Sequence, residues 1–172
     1  MTMGTRIVVM KDGVIQQVDT PSNLYNYPCN AFVGGFIGSP QMNFITASLV
    51  KKEDGVFAEF GGCSVKLPEG KASKPELANY IGKEILMGIR PEDIHDEESF
   101  IANSPDSVFT STIRIYELLG AEVYLYFDVE GFDCTARVNA RTEARPGDEV
   151  KFAMDLTKLH IFDKDTEKVI TH

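Results

Sequence analysis

Three histidines, His95, His160 and His172, are the first candidates for proton transfer or metal binding in this 172-residue chain. His160 stands in Leu159-His160-Ile161-Phe162, with Asp163 and Asp165 just beyond. A metal site needs three ligands that converge at fixed geometry. Three residues near one strand end seldom converge, so His160 is expected on a strand's solvent face and His172 in a mobile terminus. Carboxylates cluster at Glu92-Asp93, Asp96-Glu97-Glu98 and Asp163/Asp165. Acids for glycoside hydrolysis must face each other across a cleft about 5–9.5 Å wide. These clusters lie in polar stretches and read as solvated surface. Tyr116, Tyr124 and Tyr126 offer rings that could stack on a sugar or pack a barrel rim.

Other chemistry is missing from the pattern. Cys29, Cys63 and Cys134 are odd in number and widely spaced, so neither a disulfide framework nor a metal knuckle is expected. No phosphate loop, dinucleotide fingerprint, serine elbow or zinc-protease motif occurs. Gly34-Gly35 reads as close helix packing and Gly61-Gly62 as a hairpin turn. No catalytic, cofactor-binding or metal-ligating residue is therefore expected.

The elements that would position a site are mostly strands. Arg6 to Met10 and Val14 to Val18 flank Asp12-Gly13, a hairpin signal. Thr20-Pro21 opens a short helix through Tyr25, and Asn30 to Ile37 reads as a second, stopped at Gly38-Ser39-Pro40. From residue 42 strands dominate, at 44–50, 56–60, 63–67, 84–89, 108–119, 121–130, 132–139, 149–154 and 159–162. Val123, Leu125, Phe127 and Val129 alternate with polar or aromatic neighbours, the period of a strand with one face inward. Ser73 to Glu76 forms a capping-box pattern for one brief helix, and residues 95–107 read as an acidic loop. Short strands at regular spacing predict a mainly β fold of small, closed or partly closed barrels. The hairpin before them has no evident opposing sheet, so it is expected to stay mobile, swap or aggregate.

The charge bounds the partners. A formal charge of −9, from 17 basic and 26 acidic residues, disfavours nucleic acid and anionic lipid. No apolar run approaches the ~20 residues of a membrane helix, and Met1 to Arg6 is too polar for a signal peptide. The expected location is cytoplasmic.

Leu24-Tyr25 with Pro28, followed by Phe32-Val-Gly-Gly-Phe-Ile-Gly-Ser-Pro-Gln-Met-Asn-Phe44, resembles the ATPase subunits of ABC importers for sugars, the maltose-importer type. Gly34 alone departs from that motif, where the family has Ala. Met1 to Pro21, Met87-Gly-Ile-Arg-Pro-Glu92 and Glu117-Leu-Leu-Gly120 match further family motifs in order. The resemblance implies that residues 1–38 are the end of an α/β nucleotide-binding domain. Residues 39–172 would then form an OB-like (transport-associated OB) regulatory and dimerisation domain. It places the phosphate loop, signature motif, Walker B acid and switch histidine before residue 1, so ATP and Mg belong to the full-length parent. The implied partners are a second copy, the membrane permeases through the ATPase domain, and a phosphotransferase protein or transcription regulator. They put the chain at the inner face of the membrane. The candidate motif residues, structural or interfacial, are Gly88, Ile89, Arg90, Pro91, Glu92, Glu117 and Gly120, with Arg90 expected to pair with an acid. The alternative is a domain that senses a sugar or oxyanion.

Overall fold

The computed structural model describes residues 4–172; the opening Met1-Thr-Met of the first motif lies outside them. A front segment contains strands β1 (Ile7–Lys11) and β2 (Val14–Asp19), then helices α1 (Pro21–Asn26) and α2 (Ala31–Phe36). Asp12 and Gly13 turn the hairpin at φ 50° and 78°, the left-handed pair that matches strand twist. The Thr20 hydroxyl caps α1 by accepting from the Asn23 amide, and the Asn30 side chain caps α2 through Val33.

The body is built from two antiparallel sheets. One is made of β3 (Asn43–Lys52), β4 (Gly55–Phe60), β5 (Cys63–Lys66), β6 (Glu84–Ile89), β12 (His160–Asp163) and β13 (Val169–Thr171), in the order β13-β12-β6-β3-β4-β5. The other comprises β7 (Ile94–His95), β8 (Val108–Leu119), β9 (Glu122–Val129), β10 (Phe132–Asn139) and β11 (Glu149–Met154), in the order β10-β9-β8-β11-β7. Alternation decides which faces meet. Ile45, Ala47 and Leu49 of β3 point inward, as do Val123, Leu125 and Phe127 of β9. Phe109, Phe127 and Phe152 stack between the sheets, with Phe127 and Phe152 centroids 4.7 Å apart. Each fully buried ring contributes about 2–3 kcal/mol.

Asn43 closes the gap between the sheets. Its buried amide donates to the Thr135 carbonyl at 2.9 Å and accepts from the Thr135 amide at 2.7 Å, standing in for a strand partner beside β10. The result is a mainly β, nearly closed barrel, as the strand pattern predicts, and it is OB-like, as the resemblance implies.

Some local expectations need correction. Ser73 opens no helix: it closes α3 (Glu69–Ala72), its amide donating to the Glu69 carbonyl, and Pro75 starts a second single-turn helix, α4 (Pro75–Ala78). The acidic run after Ile94 is not all loop, because Glu98–Asn103 forms α5. Phe100 anchors that helix by stacking on His95, centroids 3.9 Å apart. Strand β13, only three residues long, gave too short a signal to read.

The front segment has its own small core of Val9, Leu24, Val33 and Ile37. The opposite face of the hairpin, with Val8, Met10, Ile15 and Val18, is exposed, as is Val14 next to the turn. No helix among the described residues is long and apolar enough to cross a membrane.

Candidate functional site: the Arg90 corner and the hairpin arm

Gly88 and Ile89 end β6, where β6 lies between β3 and β12. Gly88 sits opposite Phe44 on one side and His160 on the other. A Cβ on Gly88 would stand 2.5 Å from Met42 Sδ and 2.8 Å from Phe162 Cε2, so the site admits only glycine without movement. Ile89 is wholly in the core. Pro91 then starts a 3-10 turn through Asp93, and the residue before it, Arg90, is extended as a pre-proline residue prefers.

Arg90 points back into the front segment and is 2% exposed. Its partners are main-chain carbonyls rather than the acid expected from sequence. Nη2 donates to the Tyr25 carbonyl at 2.6 Å and Nη1 to the Ile37 carbonyl at 2.8 Å, with Gly34 at 3.5 Å. The guanidinium lies 3.7 Å from the Tyr25 ring centroid. These carbonyls are orphans of the helix ends, so one side chain of the β body satisfies the ends of both α1 and α2. Backbone bonds from Ala31 to Glu167 (2.8 Å) and from Val169 to Cys29 (3.0 Å) complete the join.

Glu92 is half-buried beside this corner. Asp93, expected on a solvated surface, is instead half-buried and lines a cavity of about 380 Å³ with Tyr25, Asn26, Tyr27, Arg90, Thr157, Lys158, His160 and His172. Burial first, then Glu92 and Asp155, pushes its carboxyl up to about 6. His160 is buried, not on a solvent face, and burial followed by the field of His172 pulls it down to about 3. His172 is packed rather than loose: the two Nδ1 atoms are 3.0 Å apart, and Tyr27 meets the His172 ring edge-on. The signal for His160 was its apolar flanks. An unbroken Leu-His-Ile-Phe run marks a strand covered on both faces.

Glu117 and Gly120 belong to the other sheet and do not join this corner. They sit on the arm formed by β8 and β9, where Gly120 turns at φ 75° and Glu117 accepts from Tyr126 Oη at 2.8 Å. Strand β11 pairs with β8 only from Val108 to Thr112, so beyond Ile113 the arm has one unpaired backbone edge. Ile115 (57%), Leu118 (58%) and Leu119 (47%) are exposed along it. Among the described residues no group of His, Cys, Asp and Glu has metal-site geometry, and all three cysteines are free.

Residues 38–94 match the MalK OB fold domain and residues 87–162 the TOBE domain. The oligosaccharides import ATP-binding protein MsmX of Bacillus subtilis is 47% identical over 167 residues, covering 97% of this chain and 45% of MsmX. The trehalose/maltose import ATP-binding protein MalK of Thermococcus litoralis is 40% identical over 171 residues, covering 99% of this chain and 45% of that protein. The chain thus spans about half the length of the curated relatives it matches. The cytoplasmic molybdate-binding protein ModG superposes with TM-score 0.50 at 15% identity, over 71% of this chain and 94% of ModG, a likeness of fold alone. The two domains in sequence, and this identity over nearly every residue, make the chain a member of the family of sugar-type ABC importer ATP-binding subunits, of which it carries the MalK OB fold and TOBE domains.

Proposed function

We propose that this chain is the regulatory and dimerisation region of the ATP-binding subunit of an importer for sugars or related solutes. ATP, magnesium and the contact with the membrane permeases fall to the adjoining ATPase domain, at the inner face of the membrane. A phosphotransferase protein or a transcription regulator remains a further partner for the regulatory surface. The bare face of the β1–β2 hairpin supports the domain reading, because Val8, Met10, Ile15 and Val18 form a sheet face with nothing laid against it.

The observation that carries the dimerisation role is the arm. Ile115, Leu118 and Leu119 line an unpaired strand edge, which a second copy can cover through apolar contact and strand pairing. Nucleotide domains that separate in every cycle would diffuse apart unless tethered. A permanent contact between regulatory domains makes reclosure intramolecular, at an effective concentration in the mM range for a short link.

Light scattering on this chain at micromolar concentration tests the reading. The expected result is a dimer that becomes monomeric in Ile115→Lys/Leu118→Lys and survives Val14→Lys on the hairpin. A monomeric parent chain, or a dimer indifferent to the arm substitutions, would overturn it.

A further inference from the structure

The cavity behind the Arg90 corner gathers basic side chains that no close ion pair ties down. Arg90, Lys158 and Lys71 form no ion pair within 4.0 Å among the described residues, although the chain carries a net charge of −9. Arg90 and Lys158 line the cavity. Lys71 is buried just beyond it, near enough that its charge adds to burial, the main cause, in holding the His160 and His172 imidazoles below their ordinary value. Arg90 spends its Nη donors on carbonyls, and its buried Nε has no partner. Its charge is met by main-chain dipoles, the Tyr25 ring and the field of Asp93 rather than by a close ion pair.

The remaining lining suits a small polar molecule rather than a bare ion. At about 380 Å³ the cavity falls in the range of small-molecule sites. Tyr27 offers an exposed ring, Asn26 and Thr157 offer exposed amide and hydroxyl groups, and Asp93 can accept from hydroxyls. The two imidazoles share one contact at 3.0 Å, which holds the His172 ring in the cavity wall. Asp93 is the one acid in the cavity lining; its half-buried carboxyl lies in the field of Lys158 and acts on Arg90, with Glu92 and Asp155 close behind it.

We propose that this cavity binds a phosphate-bearing small molecule, with Lys158 and His172 contacting the phosphate, Arg90 supplying fixed positive potential, and Asp93, Asn26 and Tyr27 receiving the hydroxylated remainder. The class includes sugar phosphates, and the site lies where the front segment joins the β body. Occupancy would clamp α1 to the 3-10 turn at Thr157–Lys158. The proposal does not depend on dimerisation.

Thermal melting and calorimetric titration of the chain at pH 7, with glucose 6-phosphate, inorganic phosphate and glucose as separate probes, test it. At about a hundred times its dissociation constant, glucose 6-phosphate should raise the Tm by about 5 °C or more. Lys158→Gln, an exposed position, should weaken binding tenfold or more, and Lys151→Gln on a different surface should leave it unchanged. Tighter binding of glucose 6-phosphate than of phosphate assigns the site to the ester. Equal binding of the two assigns it to free phosphate, within the same chemistry. No binding of either at 10 mM (roughly the upper end of small-ligand affinities), equal binding of glucose, or affinity indifferent to Lys158→Gln would overturn the proposal.

Discussion

The Arg90 corner and the β8–β9 arm hold the two most distinctive motifs of the body, yet the fold spends them in opposite ways. At the corner, Gly88, Ile89, Arg90 and Pro91 are turned inward, and the Arg90 donors meet carbonyls of another segment. On the arm, Ile115, Leu118 and Leu119 are turned outward along an unpaired edge. The corner's residues are therefore committed to holding this chain together. The arm's apolar residues have no intramolecular use, so a substitution there should change association and leave stability alone.

The sharpest break of that contrast is Arg90→Ala. Hydrogen bonds to a charged group are worth about 1.5–3 kcal/mol each, so loss of the Tyr25 and Ile37 contacts should cost about 3 kcal/mol or more. Urea unfolding measures this, and amide exchange should show α1 and α2 opening ahead of the barrel. A cost under about 1 kcal/mol would mean the carbonyls find other partners and the corner is no bolt.

Gly88→Ala comes next. The new methyl would sit 2.5 Å from Met42 Sδ and 2.8 Å from the Phe162 ring. Overpacking of this kind costs about 1–3 kcal/mol. An unchanged Tm would show that Met42 and Phe162 move aside freely.

The pH dependence of stability probes the same corner more gently. His160, pulled down to about 3 by burial, is neutral in the fold and charged in the unfolded chain below its ordinary value. Its contribution is complete above about 6.5 and is lost as pH falls toward 3. Asp93, pushed up to about 6, works the other way: it favours the fold at low pH, and that gain is lost as pH rises through 6. Unfolding free energies of the parent and His160→Gln should diverge in slope between pH 6.5 and 4, by up to about 1.4 kcal/mol per pH unit. Parallel curves would place His160 in contact with water. Smallest of all, Ile115→Lys/Leu118→Lys should shift monomer stability by no more than about 0.5 kcal/mol.

The sequence by itself determined the elements whose signals are local. Asp12-Gly13 and Gly61-Gly62 turn where their left-handed φ preference demands, and Thr20-Pro21 starts a helix. The alternation from Val123 to Val129 set one face of β9 inward, and the ordered motifs pointed to the family. Ser73 misled because a capping pattern competes with Pro75 two residues on, and proline fixes the helix start. Helix α5 hid in an acidic run because only the half-buried Phe100 and Ile101 mark its inner side, and the partner ring, His95, is set by the fold. Only the tertiary structure decided what Arg90 binds, since the Tyr25 and Ile37 carbonyls lie 65 and 53 residues away in sequence. It alone brought His160 against His172, and it alone left Leu118 outside. Spacing along a chain encodes turns and faces, whereas burial depends on which face is laid against which. That choice is made by the whole core at once.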